Sequence, residues 1–295
     1  MARKFGLEVE FSGNPSAALA ELRRAGLSTM HDIHSYTGHR NDEWIIKRDA
    51  SVRDGGEMVG PPLDWDDPAQ RGQIATAMDC LIRAGATTTP SAGVHVHVDA
   101  SDLEPRQIVG VARTFTKFED QIFRIATSGW RTMRPDGFTN WCKPLPRTTV
   151  ERLSKARTRE QLTTAWYGSR DRANYAGHGD SSRYHGLNLH SYFYRGTVEF
   201  RVFNSTMNAK RIEAYVTLCM AIVQDGRDNK LRSINKVFAL GDMARGELTE
   251  KKAFHHLCQF LRWENELSPI SKEDLALISY CWKNSVPQIV YGRIA

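Results

Sequence analysis

The amino-acid sequence predicts an α+β protein whose strands run antiparallel. Short segments of alternating apolar and polar residues are separated by longer segments with apolar residues at helical spacing. The last two predicted strands are joined by a tight turn at Arg195–Gly196, a connection that antiparallel neighbours allow and parallel ones do not. Hydrophobic residues make up 41% of the chain, which is enough to build a packed core.

The N-terminal elements follow from these two spacings. Residues 3–12 alternate apolar and polar side chains and predict a strand, and residues 15–26 predict a helix that ends at Gly26. Further strands are predicted over 43–48, 55–63 and 93–100, and further helices over 68–84 and 104–127.

The second half of the chain begins with a segment that is harder to assign. Residues 128–182 are rich in turn formers, aromatic residues and arginine, which predicts ordered lids over an active site, divided by a helix over about 149–166. The predicted hairpin pairs 183–194 with 196–206. Helices are predicted over 208–226, 249–263 and 271–282.

The net charge bears on possible partners, and the cysteine content bears on the cellular compartment. The net charge is +6 without a block of like charges, which suits anionic substrates such as nucleotides, or nucleic acid, and equally suits a protein with spare surface cations. Five cysteines without a CxxC pair favour a reducing compartment. The sequence shows no signal peptide and no apolar run near the ~20 residues of a membrane span, so we expect a cytoplasmic protein.

Three predicted strands each place a pair of polar groups beside an apolar face. Residues two apart in a strand share a face. Glu8 therefore lies beside Glu10, and His95 beside His97. In the last strand, the residues predicted to share one face are Thr197, Glu199, Arg201 and Phe203.

This combination predicts a metal and phosphate site. An ExE or HxH strand alone is typical of a solvated or internally paired sheet face, but these pairs occur together, with Glu57 on a glycine-flanked strand. Carboxylates dominate the set, which favours Mg²⁺ or Mn²⁺ over zinc. Arg201, two residues after Glu199, adds a fixed cation suited to phosphate.

Four segments resemble the amidoligase family. They are FGLEVEF, KRDASV with the following GGEMVGPPL, AGVHVHVDASDL, and LNLHSYFYRGTVEFRVFNST, and they cover the chain from residue 4 to about 224 in the family's order. The resemblance implies a curved antiparallel sheet of the glutamine synthetase catalytic type with flanking helices. It also implies an ATP-dependent carboxylate–amine ligase that forms an amide through an acyl phosphate.

The resemblance also implies roles for individual residues. The implied metal ligands are Glu8, Glu10, Glu57, His95 and Glu199. His97 and Arg201 would lie near the nucleotide, where Arg201 would stabilise the transferring phosphoryl group. Asp49 and Ser51 match a D-x-S element and would act near the acceptor carboxylate. Beyond these motifs, Asn188 and Arg183 are candidates for substrate or phosphate contacts, with sheet hydrogen bonding and a solvated loop as the respective alternatives.

The family motifs also suggest the organisation and partners of the chain. We expect an amidoligase-like catalytic domain over residues 1–226, with 128–182 as a substrate or lid insertion, and a C-terminal helical segment over 227–295. The expected partners are ATP, Mg²⁺ or Mn²⁺, a small amine and a carboxylate substrate that is a peptide, an amino acid or a nucleotide derivative. Nucleic acid and homo-oligomer formation stay open.

Other functions fit parts of the pattern. A phosphotransferase could use the same metal and ATP face and stop after phosphorylation. A cupin-like enzyme could bind iron or manganese through HxH and a glutamate, although cupins are nearly all β. A binding protein without catalysis could use the basic surface, and Cys142 is a weak candidate nucleophile.

Overall fold

A computed structural model of the chain describes residues 3–33, 42–49, 52, 54–89, 91–126, 141–177, 179–235, 247–263 and 272–284. In these residues an antiparallel sheet of seven strands runs in the order β2-β3-β1-β5-β7-β6, with β4 paired to the start of β1. The strands are β1 (Lys4–Ser12), β2 (Ile45–Lys47), β3 (Gly55–Val59), β4 (Leu63–Asp64), β5 (Gly93–Asp99), β6 (Leu187–Asn188) and β7 (Thr197–Asn204).

Helices fill the connections between the strands and follow the last one. They are α1 (Pro15–Arg24), α2 (Pro68–Arg83), α3 (Pro105–Ala126), α4 (Arg147–Leu153), α5 (Arg159–Tyr167), α6 (Arg170–Tyr175), α7 (His190–Arg195), α8 (Ala209–Arg227), α9 (Glu247–Trp263) and α10 (Lys272–Lys283). Asn14, Asp67 and Asn208 cap α1, α2 and α8, because each side chain accepts a hydrogen bond from a first-turn N–H. Among the described residues, no helix is long and apolar enough to cross a bilayer.

The apolar face of the sheet packs on α3 and α8. Phe203 of β7 stacks on Tyr215 of α8 with ring centroids 4.1 Å apart, and Phe200 lies 6.0 Å from Phe115 of α3. The two helices approach closely at Gly226, where a Cβ atom would lie 2.7 Å from the carbonyl oxygen of Gln107. This packing commits one face of the central strands to the core and leaves the opposite face to the polar side chains.

The predicted helix over 149–166 is wrong, because the segment forms two helices. α4 ends at Leu153 and α5 begins at Arg159. Thr158 caps α5 by accepting a hydrogen bond from the N–H of Gln161, and Ser154 donates its hydroxyl to the carbonyl of Val150. Such local side-chain bonds compete with a continuous helix.

Only the middle of the first strand of the predicted hairpin forms a strand in the structure. Leu187 and Asn188 pair with β7 as β6, whereas His190–Arg195 form α7 instead of a strand. Asn188 starts this helix by accepting the N–H of His190 on its side-chain oxygen, and Gly196 ends it at φ +76°. The chain therefore reverses at Gly196 through a helix C-cap rather than through a two-residue turn.

A β-bulge in β7 corrects the prediction for Phe203. Val94 pairs with Phe203 and Val96 pairs with Phe200, so two residue steps on β5 face three steps on β7. The extra residue reverses the alternation, and both phenylalanines point into the core. Phe203 therefore does not share the face of Glu199.

The C-terminal helices pack against the main body of the described chain. α10 contacts α3 and α8, and Arg211 of α8 donates to the carbonyl of Asn284 at 2.8 Å. The predicted domain boundary after residue 226 falls in the last turn of α8, and the division into 1–226 and 227–295 stays a prediction.

Candidate active site

The polar face of the sheet brings the charged pairs of three strands into one cluster. In the β1–β5 register Glu8 lies opposite His95, and in the β5–β7 register His97 lies opposite Glu199. Glu10 lies opposite Glu57 in the β1–β3 pair. Directly opposed residues on antiparallel strands project to the same face, so the register alone converges these side chains.

The distances within this group are those of direct contact. His95 Nδ1 lies 3.1 Å from Glu8 Oε2, and His97 Nε2 lies 3.3 Å from Glu8 Oε1. His95 also lies 3.8 Å from both Glu10 and Glu199. Glu8 thus occupies the centre, with an imidazole on each side.

Three overlapping triads in the described residues could each hold a cation. Their ligand atoms lie within 4.8 Å of one another, and the triads are Glu8–Glu57–His95, Glu8–His97–Glu199 and Glu10–Asp49–Glu57. We call these seven residues the carboxylate cluster. Because Glu8 and Glu57 each belong to two triads, neighbouring cations would share them as bridging ligands.

The carboxyl groups of the cluster differ in the direction of their pKa shifts. Burial raises the pKa of Glu57 well above its usual range, and the nearby charges of Glu8, Asp49 and Glu10 raise it further. The pKa of Glu10 is raised for the same first reason. Burial alone would raise the pKa of Glu8, but His97 and His95 outweigh it and hold that pKa well below its usual range. One side of the cluster therefore carries more negative charge than its surroundings stabilise, which a bound cation would relieve.

Arg201 and Glu199 form a buried pair at the other side of the cluster. Arg201 Nη1 donates to Glu199 Oε1 at 2.5 Å, and both side chains are more than nine-tenths buried. Burial opposes the ionisation of Glu199, but Arg201, His97 and His95 lower its pKa to about 2. Within the described residues Arg201 Nε has no hydrogen-bond partner. The guanidinium is thus held in place while one of its donors stays available.

Asn188 holds the second oxygen of Glu199. Its Nδ2 donates to Glu199 Oε2 at 2.6 Å, and its Oδ1 accepts the backbone N–H of His190 at 2.8 Å. This second bond fixes which way the amide points. A contact of Asn188 with substrate or phosphate stays a prediction, whereas its observed hydrogen bonds orient a carboxylate of the cluster.

A hydroxyl pair supports His97 in a similar way. Thr197 Oγ1 lies 3.3 Å from His97 Nδ1, and Ser191 Oγ lies 2.8 Å from Thr197 Oγ1. The nearby charges of Glu8 and Glu199 outweigh the burial of His97 and raise its pKa. Alternation along the strand predicts Thr197 on this face, but nothing in the sequence indicates Ser191, because it reaches the site from α7, a helix that was not predicted.

The remaining predicted residues are placed less centrally. Asp49 joins Glu10 and Glu57, whereas Ser51 lies outside the described residues. Arg183 ends a 3₁₀ turn, Ser181–Arg183, with its guanidinium 5.7 Å from the ring of Tyr184. Cys142 is buried and lies close enough to Arg201 to affect the pKa of that side chain.

The chain matches a known protein family. A family model described as "Putative amidoligase enzyme" matches residues 1–223, which include every strand of the sheet and the whole carboxylate cluster. The chain belongs to this amidoligase family. It is therefore an enzyme of the ligase class, so a non-catalytic or cupin-like function no longer fits.

Among solved structures, the chain is similar to a ligase in complex with its protein partner. That structure is the crystal structure of the complex between the prokaryotic ubiquitin-like protein Pup and its ligase PafA. The sequence identity is 12% and the TM-score is 0.44 over 99% of this chain, which spans 64% of the length of the matched chain. No curated protein matches the chain.

Proposed function

We propose that the chain is an ATP-dependent carboxylate–amine ligase that works with Mg²⁺ or Mn²⁺ on a glutamine synthetase-type sheet. The observation that carries this proposal is the row of three triads beside the buried Arg201–Glu199 pair. Family membership supports amide formation, and the donor set supports the metals.

The donor set fits hard divalent cations. Carboxylate oxygens suit Mg²⁺ and Mn²⁺, and in this cluster five carboxylates outnumber two imidazoles. The ligands would be Glu8, Glu10, Glu57, His95 and Glu199, with Asp49 and His97 within the same reach. Bound cations would neutralise the phosphate oxygens of ATP and stabilise charge during phosphoryl transfer.

The proposed reaction has two steps. A carboxylate oxygen of the acid substrate attacks the terminal phosphorus of ATP, and ADP leaves as the acyl phosphate forms. The amine then attacks the acyl carbon, a proton leaves the nitrogen, and inorganic phosphate departs as the amide forms. Arg201 is proposed to place its available donor on the phosphoryl group, where a fixed cation lowers the barrier most.

Other residues receive narrower roles in this proposal. Asp49 and Ser51 act near the acceptor carboxylate, with Asp49 close enough to Glu10 and Glu57 to receive a proton or to bind a cation. His97 lies toward the nucleotide, Asn188 orients Glu199, and Arg183 provides a cation for phosphate farther out. The segment 128–182 selects the substrates, which are a small amine and a carboxylate on a peptide, an amino acid or a nucleotide derivative.

The decisive experiment is calorimetric titration with ATP and Mg²⁺. Wild type should bind the nucleotide, and Glu199→Ala should weaken that binding, whereas Glu160→Ala, at an exposed carboxylate on α5, should not. A screen of acid and amine pairs should then show ADP release together with a mass gain that corresponds to the amide. ADP release with only a phosphorylated product would favour the phosphotransferase instead, and no ATP binding by wild type would contradict both.

A further inference from the structure

The positive charge of the chain is concentrated in one segment. Residues 141–195, which we call the basic segment, hold ten lysine and arginine residues against four acidic ones. This excess of six equals the net charge of the whole chain, so the rest of the chain is balanced. The net charge thus belongs to one part of the chain, although that part contains no block of like charges.

Local ion pairs neutralise three of the four acidic residues of the basic segment. Glu151, Glu160 and Asp180 each pair with an arginine within the segment, at 2.9 to 3.0 Å. In the described residues, five further exposed cations have no carboxylate partner: Lys143, Arg152, Lys155, Arg157 and Arg159. The segment therefore presents cationic charge that no carboxylate among the described residues neutralises.

Backbone oxygens and aromatic rings hold three of these arginines in place. Arg152 donates to the carbonyl of Ala165 at 3.1 Å, and Arg157 donates to the carbonyls of Ser154 and Ala156. The guanidinium of Arg159 lies 4.7 Å from the ring of Tyr192. These contacts order the side chains and leave their charge intact, which suits phosphate recognition.

Exposed aromatic rings accompany the cations. Tyr175 is 88% exposed, Trp141 is 57% exposed and Tyr194 is 54% exposed, although large apolar side chains are normally covered. Ordered arginines and open rings along one segment are the combination that binds single-stranded nucleic acid, since cations follow the phosphates and rings stack on bases. An acidic polypeptide would use the cations but would leave the rings without partners.

The basic segment also borders the carboxylate cluster. The N–H of Lys143 bonds to the carbonyl of Tyr184, the carbonyl of Gly186 accepts the N–H of Arg201, and Asn188 holds Glu199. The stretch of the basic segment around 184–188 therefore adjoins the carboxylate cluster.

We propose that the basic segment binds single-stranded nucleic acid next to the carboxylate cluster. Binding of the strand does not depend on the ligase chemistry. The further idea that the bound strand carries the group to be ligated rests on the proposed function.

Fluorescence anisotropy with a labelled oligonucleotide of about 16 nucleotides, the upper site size of one single-strand-binding fold, tests the proposal. The titration is done in EDTA with full-length wild type over a series of salt concentrations. The affinity should fall with salt, with a logarithmic slope of about −0.7 for each phosphate neutralised. Absence of binding at low salt would overturn the proposal.

Two matched variants separate this surface from general charge. The triple variant Lys143→Gln, Lys155→Gln and Arg157→Gln should reduce the slope by about 2. The control triple variant Arg106→Gln, Lys230→Gln and Lys252→Gln removes the same charge at exposed positions elsewhere and should bind as wild type does. Equal loss in both variants would overturn the assignment to the basic segment. If the first variant does not fold, Lys155→Glu alone provides the same comparison.

The aromatic contribution and the rival partner have their own controls. Tyr175→Ala should weaken binding roughly tenfold without changing the salt slope, and Tyr175→Phe should retain the wild-type affinity, because stacking needs only the ring.

A glutamate-rich peptide of equal charge should compete weakly with the oligonucleotide. Tighter binding of that peptide would replace nucleic acid with an acidic protein as the partner. Glu199→Gln should bind the oligonucleotide normally, so failure of the ligase proposal would not be mistaken for failure of this one.

Discussion

The carboxylate cluster and the basic segment lie side by side but handle like charges in opposite ways. In the cluster, four carboxylates from three strands converge with Asp49, and Glu10 and Glu199 are buried, with Glu199 only 5% exposed. In the basic segment, three of the four acidic residues pair locally and most of the remaining cations are exposed.

The difference lies in how strongly water and salt screen the like charges of each region. Buried like charges repel strongly because little water screens them, and only the rigid strand register keeps them together. Exposed cations are screened within about 10 Å at ordinary salt, so they cost the fold little. The cluster is therefore suited to bind compact, highly charged cations, whereas the basic segment is suited to an extended polyanion.

The largest expected effect comes from breaking the buried pair at the edge of the cluster. Arg201→Lys keeps the charge but loses the planar donors, and we expect ADP formation to fall at least about a hundredfold, the usual loss for one preorganised catalytic donor. Steady-state ADP release measures this effect. Arg152→Lys, the same exchange in the basic segment, should leave the rate near that of wild type, and a similar loss in both variants would remove the contrast between the regions.

The next effect tests how Asn188 orients Glu199. Asn188→Leu removes the donor to Glu199 Oε2, and we expect Mn²⁺ affinity to fall about 10- to 100-fold, as for other residues that orient a metal ligand. Mn²⁺ titration followed by electron paramagnetic resonance measures the affinity without any turnover. Asn174→Leu, at an exposed position on α6, is the control. Unchanged Mn²⁺ affinity in Asn188→Leu would show that Glu199 needs no such support.

A third prediction concerns the pH dependence of the metal-free protein. The folded pKa of Glu57 is raised, so its contribution to stability is complete below the ordinary pKa of 4.5 and is lost as the pH rises through the folded value. The folded pKa of His97 is also raised, so its contribution to stability is complete below its ordinary pKa of 6.5 and is lost as the pH rises through the folded value. Glu8 and Glu199, whose pKa values are lowered, lose their contribution only in more acidic solution.

Thermal unfolding in EDTA should therefore show a melting temperature that falls as the pH rises above 4.5, and Mg²⁺ should restore it. Glu57→Gln should flatten the lower part of this profile, since its side chain does not ionise. A wild-type profile that stays flat without metal would contradict the repulsion inferred for the cluster.

The smallest effect is expected for ion pairs of the basic segment. Arg147→Gln breaks the exposed pair with Glu151, and we expect the free energy of unfolding to change by less than about 0.5 kcal/mol. Urea denaturation measures this change. A loss above 1 kcal/mol would mean that the pair belongs to a larger network and that the basic segment is less tolerant than the comparison implies.

The sequence alone determined which polar side chains share a face within each strand. A period of two places Glu8 beside Glu10 and His95 beside His97 without knowledge of any neighbour, because side chains alternate along every extended strand. The same rule placed Glu199 and Arg201 together. The long helices α2, α3 and α8 were predicted within about two residues, the usual uncertainty at helix ends, since their apolar spacing is strong.

Only the tertiary structure decided how these strands meet. The register that sets Glu8 against His95 depends on pairing between residues far apart in the chain, and the bulge that turns Phe203 into the core depends on packing against Tyr215. The helix α7, and with it the contact from Ser191 toward His97, arises where the Asn188 side chain redirects the backbone. Local periodicity reports the face of a residue, whereas its partner is chosen by long-range packing, and that choice makes separate charges into one site.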